Sequence, residues 1–192
     1  PSNGTISGGT GASRTYSPNG NFNGSDSFTF KVKDGSLFSS VATVSITVTA
    51  VNDAPSANAQ SVTVTEDTAK SITLSGSDPE GSSLSYTIVS APSKGTISGG
   101  SGAGRTYTPS SNATGSDSFT FRVSDGSLNS GTATVSISIT AVNDAPSANA
   151  QSVSTAEDTA RSITLTGSDV EGSGLTYHVV SSPSNGTISS GT

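Results

Sequence analysis

Val51-Asn52-Asp53-Ala54-Pro55 returns letter for letter as Val142-Asn143-Asp144-Ala145-Pro146, 91 residues further on. The rest of the chain keeps step with it. Pro1-Ser2-Asn3-Gly4-Thr5-Ile6-Ser7 answers to Pro92-Ser93-Lys94-Gly95-Thr96-Ile97-Ser98, and again to Pro183-Ser184-Asn185-Gly186-Thr187-Ile188-Ser189, at the same offset. A fixed period of this length, with no insertion or deletion, marks a tandem array of one folding unit. It divides the 192 residues into the C-terminal part of one unit at 1–50, a complete unit at 51–141 and the N-terminal part of the next at 142–192.

Working outward from the linker, the apolar residues alternate with period two, the mark of half-buried strands. Val62 and Val64 give a first strand, which the Glu66-Asp67-Thr68 turn ends. Ile72 and Leu74 give a second, and Leu84, Tyr86 and Ile88 a third beyond the Asp78-Pro79-Glu80-Gly81 turn. A short strand near Ile97 and one around Tyr107 flank a Gly-rich loop, Gly99 to Gly104, expected to be flexible. Phe119, Phe121 and Val123 mark the sixth strand, and Asp125-Gly126 is a hairpin signal. Ala133, Val135, Ile137 and Ile139 make the seventh. Seven such strands in about 90 residues predict a sandwich of two antiparallel sheets.

Composition narrows the function classes. With 22 Gly and no Trp or Met, the chain favours turns and short strands over helices. With no Cys, disulfides and thiolate metal sites are excluded. A formal charge of −6, with only 8 Lys and Arg, argues against nucleic acid and against anionic membrane surfaces. His178 is the lone histidine and is read as outward-facing. Without a second His, acyl-transfer or transition-metal chemistry has no basis. Gly99 to Gly104 lacks the Lys-Ser/Thr and helix of a phosphate loop. Tyr86 and Tyr107, with Tyr16 and Tyr177 in the flanking copies, are read as core. The expectation is therefore not an enzyme.

The acidic residues of the complete unit are Asp53, Glu66, Asp67, Asp78, Glu80, Asp117 and Asp125, all in linkers, turns or strand edges. If each strand reverses the last, they gather at the two poles. Asp78, Glu80 and Asp125 belong at the incoming end. Glu66, Asp67 and Asp117 belong at the outgoing end, beside Asn143 and Asp144.

On Val51-Asn52-Asp53-Ala54-Pro55, Glu66-Asp67-Thr68, Ser77-Asp78-Pro79-Glu80-Gly81 and Gly115-Ser116-Asp117-Ser118-Phe119-Thr120-Phe121, the chain resembles bacterial cadherin-like and Ig-like tandem repeats of large surface proteins. More distantly it resembles the cadherins. The resemblance implies an all-β array of seven-stranded Greek-key sandwiches with Ca²⁺ between successive units. Carried over by motif, Glu66, Asp117, Asn143, Asp144, Asp169 and Glu171 would meet at the second junction. Asp26, Asn52, Asp53, Asp78 and Glu80 would meet at the first, with Asp125 nearby. Ca²⁺ takes oxygen ligands of these types, and convergent carboxylates without a cation repel one another. Unlike the cadherin linker, this one carries Ala at positions 50, 54, 141 and 145, which implies one or two ions, weakly held. Turn Asp and Asn also cap backbone amides with no metal present.

The function so implied is a structural spacer of a large extracellular bacterial adhesin or surface filament, stiffened at each joint by Ca²⁺. Its partners would be neighbouring repeats of the same or an adjacent chain, with surface polysaccharide or other cells beyond them. Neither nucleic acid nor membrane insertion is expected for this segment. The alternatives are a polysaccharide-binding module and an accessory region of a larger secreted enzyme. The parts at 1–50 and 142–192 are expected to be completed by further sequence or by a neighbouring chain.

Overall fold

The computed structural model describes residues 1–9 and 11–189. Among them no helix forms and fifteen strands do. The first part holds β1 (Gly4–Ile6), β2 (Tyr16–Pro18), β3 (Gly24–Phe30) and β4 (Ala42–Val48). The complete unit holds β5 (Ser56–Ala57), β6 (Gln60–Thr65), β7 (Lys70–Thr73), β8 (Gly76–Ser77), β9 (Ser85–Ser90), β10 (Gly95–Ser98), β11 (Gly104–Pro109), β12 (Gly115–Ser124) and β13 (Ala133–Thr140). The last part holds β14 (Ser147–Ala148) and β15 (Gly167–Ser168).

In the complete unit one sheet runs β6-β13-β12-β9 and the other β10-β11-β7. Alternation puts one side of each strand into the space between them. Along β13 it is perfect, with Ala133, Val135, Ile137 and Ile139 buried and every intervening residue exposed. Phe119, Phe121, Val123 and Val135 meet Ile72, Leu74 and Tyr107 from the opposite sheet in one core. Tyr107 is fully buried, and Tyr86 stacks on Phe121 with ring centroids 6.3 Å apart. Both tyrosines are core, as their spacing suggests. In the flanking copies Tyr177 is instead exposed.

Three features depart from the sequence reading. A short strand the sequence did not suggest, β5, precedes the expected first strand and pairs antiparallel to β8, while the first strand itself, β6, pairs to β13. The β6–β13 pairing is parallel, so the larger sheet is mixed. This follows from tracing direction, because both strands run toward the outgoing pole. The switch brings the chain against Gly76, where a Cβ would lie 2.7 Å from the Ser56 carbonyl oxygen and 3.1 Å from Val123. Lastly, the Gly99–Gly104 loop is tied down. Leu74 donates its amide to the Ala103 carbonyl and Tyr86 to that of Ser101. The buried Arg105 guanidinium donates to the carbonyls of Gly102, Gly104 and Tyr86, stitching the loop across both sheets.

In the flanking parts, β1 pairs with β2, β3 with β4, and β14 with β15. The segments of the last part equivalent to β6, β7 and β9 form no strands.

Candidate metal centre at the joint between units

Strand direction sets both poles of the complete unit. At the incoming pole, Asn52 donates its side-chain amide to Asp125 Oδ2 at 2.8 Å, and the Asp53 amide donates to Glu80 Oε2 at 3.0 Å. At the outgoing pole, the Val142 amide donates to Glu66 Oε1. Asp67, in the left-handed region at φ 56°, accepts from the Asn112 amide at 3.1 Å. The Asp144 amide donates to Glu171 Oε2 at 3.2 Å, matching the Asp53–Glu80 bond one period earlier. Each linker is thus clamped to the turn that follows it.

The second joint draws three carboxylates together. Glu66 from the base of one unit, Asp144 from the linker and Glu171 from the top of the next each present an oxygen, all within 4.8 Å of one another. Glu66 is 2% exposed. It is buried because positions 62, 64 and 66 continue one inward face, and the β6–β13 pairing carries that face to the end of the sandwich. Its Oε2 and Asp144 Oδ2 are buried without a hydrogen-bond partner. Burial pushes the Asp144 carboxyl above its ordinary value, and the negative charges of Glu171, Asp67, Glu66 and Asp169 push it the same way. Five acidic groups therefore share one electrostatic environment, in which ionising Asp144 is less favourable than for an isolated carboxyl.

The remaining expected ligands fall into two groups. Asp169 holds the Ser173 amide with one oxygen at 2.8 Å, and Asp78 holds those of Glu80 and Ser82 at 3.1 and 2.8 Å. These are capping turns, yet Asp78 Oδ2 is buried and unpartnered. Asn143 is exposed and donates to the Asp144 carbonyl at 3.2 Å. At the first joint, Asp53 and Glu80 border a crevice with Asn21, Asn23 and Val51.

Asp117 and Asp26 lie apart from this trio. Neither belongs to a group of convergent carboxylates among the described residues. Asp117 is 8% exposed and lies on the inward face with Phe119 and Phe121. It accepts from the Ser93, Lys94 and Ser118 amides at 2.9, 2.9 and 2.8 Å, the Ser93 hydroxyl at 3.0 Å and the Tyr107 hydroxyl at 2.8 Å. Burial raises its pKa, but these donors outweigh burial and hold it at about 2. Asp26 repeats the arrangement with Ser2, Asn3, Ser27 and Tyr16 and is likewise held at about 2. In both residues each carboxylate oxygen is already supplied with donors. The strut also explains Gly95, where a Cβ would meet the Tyr107 ring at 2.8 Å. Its signal was present in the sequence: Asp117 has the parity of Phe119, Phe121 and Val123, so period two places it inside.

Comparison with known proteins agrees with the architecture. A solved protocadherin GammaB4 extracellular domain is similar over 87% of this chain and 32% of its own, at a TM-score of 0.51 and 18% identity, a likeness of fold. Integrin beta-like protein E of Dictyostelium discoideum is 28% identical over 206 residues, covering 90% of this chain and 11% of that protein. Integrin beta-like protein A of the same organism is 36% identical over 144 residues, covering 62% and 7%. The chain thus spans about a tenth of the length of these relatives. The bacterial Ig domain matches three times in succession, at residues 1–47, 52–138 and 143–192, and the chain belongs to that family.

Proposed function

We propose that these repeats are a spacer of an extracellular, adhesion-type protein, a bacterial adhesin or surface filament, whose joints are stiffened by Ca²⁺. The observation that carries this reading is the trio Glu66, Asp144 and Glu171, drawn from three successive segments into 4.8 Å with two buried oxygens unpartnered. The donor set fits the ion. All three supply hard anionic oxygen, and Ca²⁺ takes six to eight such ligands at roughly 2.3–2.6 Å. Asp67 and Asp169 are near enough to add charge. When bound, the cation neutralises the repulsion that otherwise opposes closing the joint.

The family, the protocadherin fold and the integrin-like relatives support the extracellular, adhesive setting. Among the described residues, no helix is long and apolar enough to cross a membrane. The role is mechanical: each sandwich folds on its own core, and the ion sets the angle between neighbours. Small-angle scattering with Ca²⁺ and with chelator tests this. A longer, more uniform particle in Ca²⁺ supports it, and an unchanged length with chelator refutes it.

A further inference from the structure

Three Asn-Gly pairs stand before the first linker, at Asn3, Asn19 and Asn23, and the fold treats them differently. Asn3 donates its side-chain amide to Ser2 Oγ at 3.1 Å, and Gly4 pairs with Pro18 across β1 and β2. Gly24 opens β3 opposite Val48. Asn19 and Gly20 are instead exposed, in a turn closed by the Phe22 amide on the Asn19 carbonyl at 3.2 Å. Among the described residues, neither the Asn19 side-chain amide nor the Gly20 backbone amide has a hydrogen-bond partner. Nothing lies within 4 Å of where a Gly20 Cβ would stand. This openness belongs to the turn, because the complete unit repeats it. There Ala113 donates to the Ser110 carbonyl at 3.1 Å, and Ser110 and Ser111 are exposed with every strand of the sandwich in place. The Asp-Gly turns are the contrast, since Asp34 holds the amides of Ser36 and Leu37, and Asp125 those of Ser127 and Leu128.

We propose that Asn19 is a site of spontaneous deamidation, which adds a carboxylate to the first joint. The Gly20 nitrogen attacks Asn19 Cγ and forms a new C–N bond. The Cγ–Nδ2 bond breaks, and ammonia leaves with the proton that Gly20 gives up. Water then opens the five-membered imide at either carbonyl, leaving aspartate or its β-linked isomer. Neither an oxidant nor an enzyme is needed. The attack is favoured here because glycine puts no side chain beside the attacking nitrogen, and because no bond holds either group away. The outcome matters because Asn19 borders one crevice with Asp53 and Glu80. Its product sets a new anionic oxygen beside two carboxylates, and Ca²⁺ takes hard oxygen donors of this kind. That consequence rests on the calcium reading, whereas the chemistry at Asn19 does not. The complete unit carries Ser110-Ser111 in the same turn, so of the two joints only the first gains the charge.

The test keeps the 192-residue chain in mildly alkaline buffer at physiological temperature and follows it by mass-spectrometric peptide mapping. The Asn19 peptide is expected to gain about 1 Da. It should do so about tenfold or more faster than the Asn3 and Asn23 peptides, whose glycines must first leave a strand pair. Gly20→Ser, which copies Ser111, is expected to slow the change about tenfold or more, and Asn19→Ser, which copies Ser110, to abolish it. Both variants are expected to fold, since the complete unit carries these residues in the same turn. Equal rates at the three pairs, or an undiminished rate in Gly20→Ser, overturn the proposal. Fresh and converted chains are then titrated with Ca²⁺ by calorimetry. The converted chain is expected to bind about threefold or more tighter, with Asn19→Ser unchanged by the same incubation. Equal affinity of fresh and converted wild type overturns the added charge as a ligand. Binding by neither form is a failure of the calcium reading, and the peptide map then decides the site by itself.

Discussion

Replacing Asp117 with alanine removes the acceptor for five donors at once. Ser93 and Lys94 lie at a turn and Ser118 on the exposed side of β12, where water replaces the lost bonds. Tyr107 does not, because it is fully buried and its hydroxyl is left facing a gap. A stranded buried donor costs about 1–3 kcal/mol, and hydrogen bonds to a charged group contribute about 1.5–3 kcal/mol. Together they set the loss at roughly 3–5 kcal/mol. Proton linkage gives the share of this that depends on ionisation. The carboxyl sits at about 2 in the fold against an ordinary value of 3.8, which at about 1.4 kcal/mol per unit corresponds to roughly 2.5 kcal/mol at neutral pH. That stability is fully present above pH 3.8 and is lost as the pH falls through about 2. The assay is urea and thermal unfolding of the full chain, followed by tyrosine fluorescence. Expected is a drop in midpoint of about 12 °C or more for the complete unit. Asp26→Ala is the control. It deletes the same strut from the part at 1–50, outside the complete unit, and the main transition should not move. A loss below about 1 kcal/mol for Asp117→Ala, or an equal shift for both variants, would refute the strut.

Other outcomes follow from the joint and the strand switch. Glu66→Gln keeps an acceptor for the Val142 amide but removes one charge; Ca²⁺ affinity by calorimetry should fall about tenfold or more, with the sandwich as stable as before. Asp144 has its carboxyl raised above 3.8 by burial and by its acidic neighbours. In chelator, therefore, acidification toward the raised value should protonate it and straighten the joint, while Asp117 stays ionised; scattering length against pH reads this, and a length that only shortens on acidification contradicts it. Gly76→Ala drives a Cβ into the Ser56 carbonyl and should cost about 1–3 kcal/mol. Gly131→Ala meets nothing within 4 Å, and its unfolding midpoint should stay within about 0.5 kcal/mol of wild type.

Much of the fold can be read from alternation because both sheets have one wet face. Ala133 to Ile139 names its own strand, and the Phe119–Val123 run names its partner. The parallel β6–β13 pairing and the additional β5–β8 pair are not local properties. They depend on which edge the chain meets after crossing the linker, and only Gly76 hints at the crossing. The pinned Gly99–Gly104 loop was hidden for a similar reason, since Arg105 reads as one exposed cation among eight until the burial of its guanidinium is seen. Of the expected ligands, Glu66, Asp144 and Glu171 converge. Asp117 carries the same inward parity as Glu66 but is met by donors. Whether an inward carboxylate is satisfied or stranded depends on the neighbouring turn, and a turn's amides have no signature in the sequence.

The most direct measurement is a crystal of the chain grown in Ca²⁺, with the second joint read by anomalous difference density. Expected is one peak within roughly 2.3–2.6 Å of Glu66 Oε2, Asp144 Oδ2 and a Glu171 oxygen. A joint holding only water there, with Glu66 Oε2 hydrogen-bonded to a protein donor, would contradict the calcium lock.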